Sequence, residues 1–166
     1  METATERSVS HVPAGAGEQY NFIGELITFK VTQSETNGAF SVMEMVAQPG
    51  GGPPLHTHPS SELFTVLEGE FEFTCLEGGL PKTFRATVGD TIFIPDSGPH
   101  TYLAVGDTPA KTLLVLTPSF DLEGFFAEAG TPVTDGQPAP AGPPDMMAVI
   151  AIAEKHGMVL LPPSTS

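Results

Sequence analysis

The stretch GGGPPLHTHPSSELFTVLEGE, running from Gly50 to Glu70, places His56, His58 and Glu62 between a collar of glycines and prolines and an alternating apolar run. His56 and His58 are two apart, so in an extended segment both imidazoles point to one side. The Glu68-Gly69 pair beyond them has the chemistry of a two-residue hairpin turn, with glycine free to take a positive φ. Such a turn would set Val66 opposite Phe71, Phe64 opposite Phe73 and Glu62 opposite Cys75, and alternation then puts all six on one face. That face is apolar except for Glu62, and an ionised carboxylate turned toward a core needs a positive partner. A cation held with the neighbouring histidines would supply one, because imidazole and carboxylate together suit first-row divalent ions. Taken alone, His-x-His also fits a solvated loop.

The same rhythm of short apolar runs and breakers extends on both sides. With 18 glycines and 17 prolines in 166 residues, the composition predicts one all-β domain, a sandwich or barrel. Strand-like runs stand at NFIGELITFKV, GAFSVMEMVAQ, ELFTVLEG, EFEFTCLE, KTFRATV, DTIFIP, HTYLAVG and AKTLLVLTP. Turn residues separate nearly every pair, which predicts a closed or nearly closed antiparallel barrel over residues 18–118. Residues 1–17 read as a flexible arm or an edge strand lent to a partner. Residues 119–166 read as a helical and Pro/Gly-rich tail packing on the barrel. In it, FDLEGFFAEAG forms a short helix stopped by Gly130 and TPVTDGQPAPAG a linker. PPDMMAVIAIAEKHG forms a second helix, with proline at its first positions and Gly157 past its end.

Charge and cysteine content exclude several classes. Twenty acidic against 6 basic side chains give a net charge of −14, which repels phosphate backbones and anionic lipid, so neither nucleic acid nor a membrane surface is expected as a partner. The first twenty residues lack the apolar core of a signal peptide and no window is long enough to span a bilayer, which makes the cytoplasm the default location. A single cysteine, Cys75, leaves no disulfide framework and no cysteine-based zinc knuckle within one chain. Any metal site must be built from histidine and carboxylate. His11 lies in the arm and His156 at the end of the last helix, where a cation favours the helix dipole. Met43 and Met45 read as core, and Cys75 as a small buried hydrophobe, facing inward just below the metal.

The second half of the pattern lies in GDTIFIPDSGPHTYLA. Together the two stretches resemble the cupin superfamily, whose motifs are written G-x5-H-x-H-x3–4-E-x6-G and G-x5-P-x-G-x2-H-x3-N. Gly50, His56, His58, Glu62 and Gly69 fill the first; Gly89, Pro95 and His100 fill the second, with Ser97 in place of its glycine and Ala104 in place of its asparagine. The resemblance covers roughly residues 21–118 and implies a double-stranded β-helix, a jelly-roll barrel, holding one divalent metal ion (Fe, Mn, Co, Ni, Cu or Zn) between His56, His58, Glu62 and His100. The tail FDLEGFFAEAGTP is similar to that of single-domain quercetin-dioxygenase-like cupins.

That narrower resemblance implies a metal-dependent dioxygenase that cleaves a flavonol-like or other enolisable aromatic substrate with O2. Glu62 then acts as ligand and general base together, taking the proton of the substrate hydroxyl. Phe64, Phe73 and Tyr102 would wall the pocket, and Phe120, Phe125 and Phe126 would form a lid against water. A redox-neutral isomerase or lyase acting on a hydroxy-carbonyl substrate and a binding module without chemistry are the alternatives. Sugar phosphates are disfavoured, because the barrel region offers only Lys30, Lys82, Arg85 and Lys111 as cations. Leu63 and Leu67 on the outer face, together with the arm, predict a homodimer.

Overall fold

The computed structural model describes residues 8–134 and 144–162. In chain order its elements are β1 (Gln19–Phe22), β2 (Glu25–Val31), β3 (Ser41–Ala47), β4 (His56–Thr57), β5 (Ser61–Glu68), β6 (Glu70–Glu77) and β7 (Leu80–Thr87). Then come β8 (Thr91–Ile94), β9 (His100–Val105), β10 (Ala110–Thr117), α1 (Leu122–Ala129), β11 (Thr131–Pro132), α2 (Met146–Lys155) and β12 (Val159–Leu160). One sheet has seven strands in the order β11-β1-β2-β3-β10-β5-β8, the other five in the order β12-β4-β9-β6-β7. This is the expected jelly roll, built as two facing sheets with a short helical part.

Alternation makes the interior. In β3 the side chains of Ser41, Met43, Met45 and Ala47 are buried, in β10 those of Ala110, Thr112, Leu114 and Leu116, in β5 those of Glu62, Phe64 and Val66. Phe71 and Phe73 of β6 and His100, Tyr102 and Ala104 of β9 meet them from the other sheet. The expected hairpin between β5 and β6 is not there. β5 pairs with β10 and β8, and β6 pairs with β7 and β9, so the chain crosses from one sheet to the other at Glu68-Gly69. Gly69 has φ 69°, and a Cβ there would stand 2.8 Å from Ala110 Cα, so the crossing runs too close to β10 for a side chain. Phe64 and Phe73 are therefore not neighbours in one sheet; their rings meet edge to face across the interior at 5.2 Å. Parity survives the error, because a bend at Gly69 leaves the inward set of both strands unchanged.

NFIGELITFKV is also two strands rather than one. Ile23 (φ 44°) and Gly24 (φ 74°) form a tight turn of the kind that joins twisted hairpins, pairing Phe22 with Glu25. A β-branched residue at positive φ is strained, and Ile23 is held there by packing against the core.

Both helices appear where expected, each opened by an aspartate. Asp121 accepts from Gly124 N and Asp145 from Met147 N and Ala148 N, satisfying orphan first-turn donors. Asp145, not proline, therefore starts α2; Pro144 precedes the cap, and Pro143 with most of the expected linker lies outside the described residues. The apolar face of α1 lays Phe125 and Phe126 on Phe22 at 5.2 and 5.8 Å, which joins the tail to the first hairpin. On the arm, Lys30 Nζ donates to Pro13 O and Ala16 O.

His156 caps α2 and links it to both ends of α1. Its Nδ1 donates to Asp121 Oδ2 at 2.6 Å and its Nε2 to Glu128 Oε2 at 2.8 Å, while Lys155 Nζ meets the same Glu128 at 2.8 Å. Two carboxylate partners require both ring nitrogens to carry protons, and the Glu128 bond first, then Asp121, hold the imidazole above its ordinary value despite some burial. A raised histidine contributes stability that is fully present below its unfolded value of 6.5 and is lost as pH rises through the higher folded value. Wild type should therefore exceed His156→Gln in urea midpoint most at about pH 6 and least at about pH 9. A gap that does not change with pH would show that the ring is not held as a cation.

Candidate metal centre

The glycine–proline collar has a structural purpose. Gly50 N donates to Ala104 O and Ala104 N to Gly51 O, both at 2.9 Å, and Thr101 Oγ1 donates to Pro53 O at 2.7 Å. The collar thus runs along β9, and a Cβ on Gly52 would lie 1.9 Å from Tyr102 O. Delivered in this way, the two-residue β4 pairs with β9 so that His56 stands directly opposite His100, with ring centroids 4.3 Å apart. Ala104, where the motif has asparagine, serves here through its main chain.

His58 leaves β4 in the crossing toward the seven-stranded sheet. Its carbonyl accepts from Ser97 N at 2.9 Å, and Ser97 takes φ 60°, the left-handed conformation that accounts for glycine at that motif position. The His58 ring stacks on Phe120 at 4.8 Å and 16°. Glu62 comes from the opposite sheet, where β5 holds it between Leu116 and Ile94. Both sheets therefore contribute, with one crossing loop between them.

One ring nitrogen from each of His56, His58 and His100 lies within 4.8 Å of the other two, and all three residues are buried. Glu62 reaches two of the rings, with Oε1 3.2 Å from His58 Nε2 and Oε2 2.6 Å from His100 Nε2. His56 Nδ1 lies 2.8 Å from Pro54 O and His100 Nδ1 2.8 Å from Gly98 O. A carbonyl accepts only from an N–H, so in the neutral rings the lone pair sits on Nε2.

Burial first, then repulsion from His100, pushes His56 down to about 3 and keeps it neutral. Burial alone would raise Glu62, but its contacts with His100 and His58 outweigh that and hold it below the usual carboxylate range. Burial likewise opposes a proton on His100, and Glu62 outweighs it, so His100 is raised. Metal ligation needs the neutral ring and competes with that proton.

A buried polar atom without a partner is costly, and here several converge. His58 Nδ1 and Nε2, Glu62 Oε2 and His100 Nε2 lack a hydrogen bond of acceptable direction, although the last two are only 2.6 Å apart. Close approach without hydrogen-bond alignment suits lone pairs aimed at a common point. Three nitrogens and one carboxylate are also the donor set that first-row divalent ions take. The residues fit a metal.

Beside this cluster lies an apolar cavity that offers about 40 Å³ to the centres of water-sized atoms. Phe64 and Tyr102, expected on its walls, and Phe125 and Phe126, expected in a lid, line it. Phe73 does not: fully buried, it lies behind Phe64 and stacks on Phe84. Phe120 braces His58 instead of closing the cavity. Cys75 pairs with His100 and Lys82 rather than with Glu62, and it is half-buried beside an outer groove rather than shielded. Among the wall residues that were not foreseen, the one ionisable group is Glu25, 3% exposed, whose carboxyl accepts from Tyr102 Oη at 2.6 Å. Its signal was present in ELITFKV: Glu25 shares the parity of the buried Ile27 and Phe29.

Residues 43–116 match the cupin domain model. A curated protein of Methanocaldococcus jannaschii, itself described as uncharacterised, is 33% identical over 84 residues, which span 50% of this chain and 64% of that protein. Dimethylsulfoniopropionate lyase of Ruegeria pomeroyi is 43% identical over 47 residues, 28% of this chain and 22% of the lyase. The chain thus matches less than two thirds of the length of either relative. Among solved structures, an oxalate oxidase in complex with the substrate analogue glycolate is 25% identical, with a TM-score of 0.58 over 71% of this chain and 63% of that one. Fold, domain match and the histidine cluster together support the cupin superfamily. No helix among the described residues is long and apolar enough to cross a membrane.

Proposed function

We propose that the protein is a metal-dependent enzyme, binding one divalent ion per chain through His56, His58, Glu62 and His100 and acting with O2 on a compact enolisable hydroxy-carbonyl compound. The observation that carries this reading is the set of unpartnered ring nitrogens and carboxylate oxygen converging at the edge of an apolar cavity. When bound, the ion would supply a Lewis acid for the substrate oxygens and, if redox-active, access to oxygen chemistry. Glu62 takes the proton of the substrate hydroxyl. The fixed Nδ1–H tautomers of His56 and His100 keep the ring orientation, and Phe64, Phe125 and Phe126 exclude water.

Cavity size revises the expected substrate. The cavity offers only about 40 Å³ to the centres of water-sized atoms, which favours a small ligand. A single ring is the easier fit, because Leu122, Phe125, Phe126 and Val149 of the two helices form much of the wall that a three-ring flavonol would have to displace. Protein loaded separately with Fe, Mn, Co, Ni and Cu should consume O2 with a compact enolisable hydroxy-carbonyl compound and little or none with quercetin. Glu62→Gln should lower turnover by about two to four orders of magnitude, the usual size of a general-base contribution. Substrate consumed without oxygen uptake would support the second reading, a redox-neutral lyase, which the likeness to the Ruegeria enzyme favours.

The outer face of the seven-stranded sheet is the proposed contact of a homodimer. Leu63 and Phe93 are cross-strand neighbours there, 40% and 63% exposed, with Val115 on the other side of Leu63. Light scattering at micromolar concentration should give twice the chain mass, and Phe93→Lys should halve it.

A further inference from the structure

The end of the cavity away from the histidines leaves one polar group unused. Glu25 opens β2 beside the strained Ile23-Gly24 turn, and the pairing of that turn points Glu25 and Phe22 into the cavity together. Nothing in the packing calls for a carboxyl, since the other inward positions of β2 hold Ile27 and Phe29. No lysine or arginine lines the cavity. Among the described residues Tyr102 is the sole hydrogen-bond partner of the Glu25 side chain, and the Tyr102 hydroxyl also lies 3.5 Å from Met45 Sδ. One O–H bond fills one of about four lone-pair sites on a carboxylate, so acceptor capacity remains on the cavity side.

We propose that Glu25, braced by Tyr102, is a substrate-binding residue at the far end of the metal cavity, where it takes a hydrogen bond from an uncharged hydroxyl of the ligand and excludes an anionic group. The inference rests on the function proposed above and narrows its substrate class. Tyr102 follows His100 by two positions in β9, so the Glu25–Tyr102 pair lies about 7 Å further along the barrel wall than the histidines. That separation suits a ligand one ring across, with its chelating oxygens at the histidines and its hydroxyl at Glu25. Burial raises Glu25 to about 7, against the lowering effect of the Tyr102 bond, so near neutrality it is present in both forms. Each form hydrogen-bonds a hydroxyl, and the ionised one repels a carboxylate.

Three hydroxypyranones test this, because they share one chelating hydroxy-ketone edge and differ at the far position. Allomaltol carries methyl there, kojic acid hydroxymethyl and comenic acid carboxylate. Titrated into cobalt-loaded protein and followed by the visible cobalt spectrum, kojic acid should bind about tenfold more tightly than allomaltol, as one buried hydrogen bond allows, and comenic acid more weakly than both. Glu25→Leu should abolish the preference for kojic acid. Glu25→Gln, which keeps size and hydrogen bonding, should retain it and relieve the penalty on comenic acid, and it decides the matter if the leucine variant does not fold. Equal affinities in wild type, or an order unchanged in Glu25→Gln and Glu25→Leu, would overturn the role of Glu25 while leaving the metal reading intact. A cobalt spectrum perturbed by none of the three would sink both.

Discussion

His100→Ala protein should purify nearly free of divalent metal, while wild type carries close to one ion per chain. Loss of a supporting partner of a ligand typically costs 10–100-fold in metal affinity, so loss of a ligand itself should cost more than about 100-fold. His100 is the nitrogen closest to the Glu62 carboxylate, at 2.6 Å, and stands opposite His56 across β4 and β9. Its removal leaves two imidazoles on one short crossing and a buried carboxylate facing them. Stability should follow occupancy: with free metal about 1,000-fold above its dissociation constant, binding contributes about 4 kcal/mol. For a chain of this size that is a shift of about 10 °C in melting temperature. Chelator should lower the wild-type melt by that order and leave His100→Ala nearly unmoved. Full occupancy in the variant, measured by elemental analysis, would remove His100 from the site.

Gly52→Ala should be among the most damaging single-methyl additions in the chain. The new Cβ would stand 1.9 Å from Tyr102 O and 2.9 Å from Tyr102 C, both backbone atoms that cannot swing aside. Relief requires the collar to lift off β9, breaking the bonds between Gly50, Gly51 and Ala104 and withdrawing His56 from His100. We expect a loss of about 3 kcal/mol, the upper end of the usual overpacking cost because the clash is with backbone, and weakened metal binding with it. Gly50→Ala is the control. It has φ 78° but nothing within 4 Å of its Cβ, so it should cost only the left-handed penalty of about 1–2 kcal/mol. Equal melting temperatures for the two variants would mean that the collar does not hold β4 against β9.

The contrast between these glycines shows what the sequence could and could not convey. Gly50 is visible because it occupies a motif position, whereas Gly52 matters through Tyr102, fifty residues later, and no local pattern records that contact. His56, His58 and Glu62 could be set on one side by spacing of two and strand parity, which are local properties, but the ligand set and His100 were read only through the resemblance to the two cupin motifs. The partner of β5 was not legible: a run of alternating residues, one glycine and another such run read alike whether the chain folds back or crosses to the opposite sheet. Two-residue strands such as β4, β11 and β12 are too short to leave any periodicity. Phe73 was expected on the cavity wall and Phe120 in its lid because aromatic residues close to ligands suit a pocket, yet packing gave Phe73 to the core and Phe120 to the His58 ring. Glu25 was readable by parity and was passed over because its run looked like one strand without a turn.

The cavity draws on the chain unevenly. The four residues assigned to the metal all fall between positions 56 and 100, but Phe22 and Glu25 come from the first hairpin, and Leu122, Phe125, Phe126, Val149, Met158 and Leu160 from the tail. On the proposed reading, the metal ligands come from the central stretch, which also gives Phe64 and Tyr102 to the wall, and much of the rest of the wall comes from the two flanking ones. Exchanging the ends of such a chain would reshape the cavity while leaving the proposed metal ligands as they are, so relatives alike in the middle and different at the ends need not admit the same molecule.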